Sequence, residues 1–262
     1  SYRHALAYAR QRIQGQGMAG HDDRVAIVEH PDVRRNLMTM KAYSEGLRAL
    51  LYYCAHAMDR VTIAGDRVEA QRWQDIVDLL IPIAKALPTE KGVELASLGI
   101  QVHGGAGYTR AYPLEQYMRD SKVACIFEGT TGIQAMDFAL RKVHLKEGTV
   151  LRDFLTEMDD VIDRAATMAE WTPYVDQLRM TRDALLALRD ELAAVPIHNR
   201  LRDQLLSATP LLEVAGELFV AYFLLWSAVT ADARLAAMGG SQGGGETAAR
   251  PPSSDEERLH LA

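Results

Sequence analysis

"PDVRRNLMTMKAYSEGLRALLYYCAHAM", residues 31–58, places Val33, Leu37, Met40, Ser44, Leu47, Leu51, Cys54 and Met58 at alternating steps of four and three. That spacing lines one face of an α-helix. A strand would repeat every two residues. Pro31 suits the first turn, where its missing N–H has no partner to lose. The stretch predicts a long amphipathic helix of bundle type.

The same period extends outward. A helix is expected over residues 2–14, followed by the glycine-broken loop "GQGMAGHDD" (15–23). Trp73, Ile76, Val77, Leu80, Ile83 and Leu87 mark another helix, with Pro82 inside it to kink it. Val93, Ala96 and Ile100 line a further helical stretch that ends at "HGGAG" (103–107). "YPLEQYMRD" (112–120) starts a short helix. "VACIF" (123–127) has strand composition but stands alone in a helical chain, so it is read as extended or irregular. Ile133, Met136, Leu140 and Val143 define the next helix. Three more follow at about 150–169, 174–195 and 200–236, with Pro196 separating the last two and Pro210 bending the third. After Met238, glycine, proline and charge leave almost nothing to bury. The expected fold is all-α with no sheet: an antiparallel helical bundle (1–147), an appended second helical domain (148–238) and a disordered tail (239–262).

The 262 residues are 48% hydrophobic, enough for a sizeable core. A net charge of -6 argues against a nucleic-acid footprint. Cys54 and Cys125 form no disulfide framework, and the histidines show no metal-ligand spacing. A reducing, cytosol-like compartment fits. The longest apolar run, "LFVAYFLLWSAVTA" (218–231), is too short to span a bilayer. The chain starts without Met and in mid-helix, as a piece of a longer protein would.

Glu128 leaves an apolar run and enters a helix start. Thr130 or Thr131 is a good N-cap there, and Gly129 allows close approach to a ligand. Burial beside Val123, Cys125, Ile126 and Phe127 would raise the carboxyl pKa, and the helix end would lower it. In a closed site burial outweighs the dipole, which contributes on the order of 1 kcal/mol. Such a carboxylate is tuned to act as a base. An ordinary first-turn acid is the alternative. "HGGAG" is likewise open between a helix C-cap and a phosphate-facing turn.

The whole stretch "GIQVHGGAGYTRAYPLEQYMRDSKVACIFEGTTGIQ" (99–134) closely resembles the C-terminal signature of the acyl-CoA dehydrogenase family of flavoproteins. The matching residues are Gln101, Gly104, Gly105, Gly107 and Tyr108, then Tyr112, Pro113, Glu115, Arg119 and Asp120, then Phe127, Glu128, Gly129 and Thr130. "YRHALAYARQRIQG" and "VEHPDVRRNL" resemble two earlier helices, so the likeness covers residues 1 to about 147. It implies that Glu128 is the base that removes the α-proton of an acyl-CoA thioester, while the β-hydrogen leaves as hydride to FAD. It also implies that the Glu128 amide helps to hold the thioester oxygen, with Phe127 and Gly129 against substrate. Arg12, Gln101, Gly104, Gly105 and Thr130 fall at FAD-contacting positions, with Arg12, Gln101 and Gly105 facing the FAD of a neighbouring subunit. Gly15 and Gly132 depart from the usual residues. Arg119 and Asp120 are read as an internal ion pair.

The family also implies a missing N-terminal helical domain and β domain, a homodimer or homotetramer, and electron-transfer flavoprotein as acceptor. The appended domain resembles that of a larger bacterial branch acting on varied acyl chains. The chain is thus read as the C-terminal portion of an FAD-dependent acyl-CoA dehydrogenase, inactive alone. The rival is a non-catalytic helical oligomerisation module of the same family. A DNA-associated relative is disfavoured by the acidic balance.

Overall fold

A computed structural model of the chain describes residues 1–17, 23–194 and 197–240. Eight α-helices appear among them: α1 (Tyr2–Gln11), α2 (Pro31–Ile63), α3 (Arg67–His103), α4 (Leu114–Ala124), α5 (Thr131–Leu140), α6 (Thr149–Ala166), α7 (Thr172–Ala194) and α8 (Ile197–Gly240). The all-α expectation holds. The expectation of no sheet does not: β1 (Ile13–Gln16) pairs antiparallel with β2 (Arg24–Ala26). These strands are too short to show a period, so composition hid them. Residues 18–22 of the expected loop, Pro196, and the tail from 241 onward lie outside the described residues. Gly239 and Gly240, expected in the tail, end α8.

α2 and α3 form the frame. Residues 64–66 join them, so the two long helices fold back on each other and pack along their length. Asp66 caps α3 by accepting from the amides of Val68 and Glu69, both at 2.8 Å. α3 was expected as two helices with a kink, yet it runs unbroken through Pro82 and Pro88. An internal proline costs about 3 kcal/mol. Burial of Leu79, Leu80, Pro82, Ile83, Ala86 and Leu87 around both prolines offsets that. α1, α4 and α5 all lie against α3. Ala5 and Ala9 of α1 join Leu37, Met40, Leu95 and Val102 in one core cluster.

The inward face of α2 differs from the spacing that predicted the helix. Leu37, Met40 and Leu47 are buried as expected, but Leu51 and Met58 are 43% and 58% exposed, with Leu50 and Ala57 inside instead. Two neighbours cover α2 on different sides. α1 packs on its first half, and α8 reaches Gly46 through Val220 and Leu224. α5 is corrected in the same way. Its buried face is Ala135, Phe138 and Ala139, while Ile133 and Met136 stay 55% and 39% exposed. A helix apolar all round offers two candidate stripes, and packing selects one.

Residues 1–226 make one compact unit. α6 buries Val150, Phe154, Met158, Val161 and Ala165, as the spacing predicted. Phe154 meets Phe219 of α8 edge-on at 5.0 Å, and Tyr53 of α2 meets Phe223 at 5.1 Å. Tyr43 Oη donates to Glu217 at 2.7 Å, and Lys91 Nζ lies 3.1 Å from the same carboxylate. From Ser227 a second unit begins, of which the described part is the end of α8. The membrane expectation needs correcting on length: Gln204–Met238 holds an 18-residue window of mean hydropathy 1.6 and is long and apolar enough to cross a bilayer. Half of that apolar window is buried inside the protein, and core helices pass the same test.

Candidate active site

The apolar run ahead of Glu128 is neither strand nor extended chain. Val123 and Ala124 complete the last turn of α4. The amides of Ile126 and Phe127 donate to the Val123 carbonyl at 3.0 and 3.2 Å, which winds the run into a tight turn. Glu128 then takes φ 54° and Gly129 φ 90°. For a residue with a side chain this left-handed conformation costs about 1–2 kcal/mol. Thr130, extended at φ -62° and ψ 162°, is the N-cap of α5, but its hydroxyl makes no capping bond. The Thr131 hydroxyl donates instead to the Glu90 carboxylate.

Three side chains, two of them outside the signature, hold this turn. Lys85 Nζ donates to the Gly129 carbonyl, and Gln134 Nε2 donates to the Glu128 carbonyl at 3.2 Å. Glu90 carries the Thr131 hydroxyl and lies 3.9 Å from Lys122 Nζ. Burial, and next the charge of Glu90, push the Cys125 thiol pKa up. That agrees with its reading as an inert buried thiol. Among the described residues, the amides of Glu128, Gly129 and Thr130 make no hydrogen bond. They are donors available to an oxygen of a ligand.

The expected dry pocket is not closed by this chain. Glu128 is exposed, and Val123, Ile126 and Phe127 are 58%, 58% and 51% exposed. They leave an apolar rim ahead of Glu128, and Ile133 and Met136 of α5 are exposed as well. Next to it lies a cleft of about 590 Å³ lined by Glu90, Val93, Glu94, Thr131, Gly132, Thr209 and Glu213.

The remaining candidates gather elsewhere. α3 ends at His103, and Gly104 follows at φ 60° and ψ -146°, a conformation that disfavours any side chain. A Cβ placed on Gly104 or Gly105 would meet nothing within 4 Å. Gln101 and Arg12 are exposed, and among the described residues the Arg12 guanidinium reaches only Gln14 Oε1, at 3.3 and 3.4 Å. Tyr8 of α1 stacks on His103 at 4.3 Å, and Tyr112 meets both rings edge-on. This trio ties the end of α1, where Arg12 sits, to the glycine turn. His103 Nδ1 lies 2.8 Å from the Gly99 carbonyl. Burial holds the His103 pKa below the usual imidazole value.

The candidates therefore form two groups. Phe127, Glu128, Gly129 and Thr130 sit beside Lys85, while Arg12, Gln101, Gly104 and Gly105 sit at the far end of α3. The 16 residues from Lys85 to Gln101 correspond to roughly 24 Å of helix. The expected Arg119–Asp120 pair is not formed. Arg119 Nε pairs with Glu115 one turn back at 2.9 Å, and Asp120 accepts from Gln116 at 3.3 Å. Adjacent residues on a helix point about 100° apart, whereas residues four apart are neighbours. Reading the sequence missed Lys85, Glu90 and Gln134. Lys85 left one signal, as the single charge in "LLIPIAKALP" (79–88).

Residues 1–142 match the family described as "Acyl-CoA dehydrogenase, C-terminal domain", and residues 154–250 match "Acetyl-CoA dehydrogenase C-terminal like". The chain is 40% identical over 170 residues to the broad-specificity linear acyl-CoA dehydrogenase FadE5 of Mycobacterium tuberculosis, covering 63% of this chain and 28% of that protein. It is 35% identical over 246 residues to the 3-methylmercaptopropionyl-CoA dehydrogenase of Ruegeria pomeroyi, covering 92% and 41%. The chain thus spans well under half the length of these relatives. Its fold resembles that of Caenorhabditis elegans ACDH-11 in complex with C11-CoA, with TM-score 0.70, 22% identity, and coverage of 86% of this chain and 36% of that one. It also resembles an acyl-CoA dehydrogenase from Bacillus anthracis complexed with FAD, at TM-score 0.63 and 19% identity, covering 86% and 38%. The chain belongs to the acyl-CoA dehydrogenase family and corresponds to its C-terminal helical domain.

Proposed function

We propose that this chain supplies the helical side of an FAD-dependent acyl-CoA dehydrogenase site, with Glu128 as the base for α,β-dehydrogenation. The observation that carries the reading is the turn itself. One acid sits in it, three unpaired amides lie beside it, and an exposed apolar rim precedes it. An α-proton next to a thioester becomes removable when its carbonyl oxygen is held by hydrogen-bond donors. The unpaired Glu128 amide would be one of them. The Cα–H bond breaks with its proton passing to the Glu128 carboxylate, and the product is the trans-2-enoyl-CoA. FAD, when bound, would supply the acceptor for the β-hydrogen and its electron pair. Phe127, Val123 and Ile126 exclude water once the acyl chain and the rest of the enzyme cover them.

The second group fits a dinucleotide. Open space over Gly104 and Gly105 lets the backbone approach a bulky group, and the forked donors of Arg12 suit a pyrophosphate. The two groups lie too far apart to serve the same end of one cofactor. This supports assembly as a homodimer or homotetramer in which Arg12, Gln101, Gly104 and Gly105 face the FAD of another copy, while Thr130 faces the FAD beside Glu128. Electron-transfer flavoprotein is the proposed acceptor. With its rim uncovered, the chain alone turns over nothing.

The test is the full-length protein with Glu128→Gln. Flavin reduction by acyl-CoA should slow by roughly 10²–10⁴-fold, the share a general base provides. Equal bleaching by the variant overturns the base assignment. A full-length protein that never binds flavin supports the helical interaction module instead.

A further inference from the structure

A left-handed glutamate next to a left-handed glycine is an arrangement that the chain does not prefer by itself. It persists where surrounding groups over-determine it. Both carbonyls of the pair are held by side-chain amino groups from different helices: Gly129 by the Lys85 ammonium of α3 and Glu128 by the Gln134 amide of α5. The hold is close. A Cβ on Gly129 would lie 2.9 Å from Gln134 Nε2. The Lys85 ammonium is a charged donor, so its bond is the stronger of the two. It also emerges from α3, whose neighbouring residues Ile83, Ala86 and Leu87 are buried and fixed. Glu90, on the same helix, anchors the other side of the turn through Thr131.

We propose that Lys85 is a positioning residue: by gripping the Gly129 carbonyl it fixes the peptide planes at 128–130, and so sets where the Glu128 carboxylate and the three free amides point. Gln134 is its auxiliary. The inference rests on the reading of Glu128 as the base. Removing the ammonium frees the Glu128–Gly129 pair to relax toward right-handed or extended backbone, which swings the carboxylate off the substrate carbon. Substrate binding elsewhere is untouched, so the loss falls on kcat rather than KM.

The experiment uses the full-length protein with Lys85→Met, Lys85→Arg and Glu128→Gln. Lys85→Met should slow flavin reduction at saturating acyl-CoA by about 10- to 100-fold, the scale of a misplaced reacting group. KM should stay within a factor of about three. Exchange of the Cys125, Ile126 and Phe127 amides, which are bonded to the Lys122 and Val123 carbonyls, should rise about tenfold, with α2 peptides unchanged. Lys85→Arg, which keeps a charged donor, should restore most of both. Glu128→Gln should block reduction and leave exchange as in the wild type. Unchanged exchange at 125–127 in Lys85→Met overturns the proposal, as does a rise shared equally by α2 and α3. If Glu128→Gln still reduces flavin, the base reading fails, and the exchange result still decides on Lys85.

Discussion

His103 shows how a signature residue can be structural at the scale of a single side chain. It stands next to Gly104 and Gly105 but turns inward, stacked on Tyr8 with Tyr112 edge-on, and is 3% exposed. Burial lowers its pKa, so the folded protein resists protonating it while the unfolded chain does not. Its contribution to stability is therefore present above the unfolded value of about 6.5 and is lost as pH falls below it. The melting temperature of the wild type should drop between pH 7.5 and 5.5 by more than that of His103→Phe. Parallel pH curves for the two proteins contradict this. The sequence singled out Glu128 as the candidate base, but its exposure was not legible there. Its neighbours Val123, Ile126 and Phe127 are apolar by sequence, and only the turn at 125–128 decides that they face outward.

At the scale of elements, helix identity was legible and helix faces were not. α6 behaves as its spacing predicts because it presents one apolar stripe. α2 has more than one partner, so its buried face rotates from Leu37 toward Gly46, Leu50 and Ala57. Gly46 marks a place where α8 packs on α2. A Cβ there would lie 2.6 Å from Val220 Cγ1, and a valine cannot easily rotate away. Gly92, in α3, would meet nothing nearer than Ser121 Cβ at 3.8 Å. Alanine is favoured over glycine in a helix by about 1 kcal/mol. Gly92→Ala should therefore stabilise by up to that amount. Gly46→Ala should destabilise, because overpacking costs about 1–3 kcal/mol. Urea unfolding of both variants decides the matter, and stabilisation by Gly46→Ala would show that α8 does not pack there.

Across the whole molecule, two family domains meet at residues 142–154, yet residues 1–226 form one compact unit. Tyr53 from α2, Phe154 from α6 and Phe219, Phe223 and Trp226 from α8 share one aromatic cluster. Phe219 is fully buried in it. Phe219→Ala should cost ~3–5 kcal/mol. In a domain of this size that lowers Tm by on the order of 10 °C. We expect a single calorimetric transition that moves as a whole. Two transitions, of which only one shifts, would mean that the appended helices melt independently.

By itself the sequence determined the helices, because their three-and-four spacing is local and repeats over many turns. It also determined the family, because the residues from Gln101 to Thr130 stand in fixed order along the chain. Only the tertiary structure decided which apolar stripe of α2 and of α5 is buried, since each helix offers more than one and packing chooses among them. It alone brought Lys85 beneath Gly129, across 44 residues of chain. It also separated the two groups of site residues along α3. Contacts of that kind depend on where helices cross in space, and no local pattern of side chains encodes that.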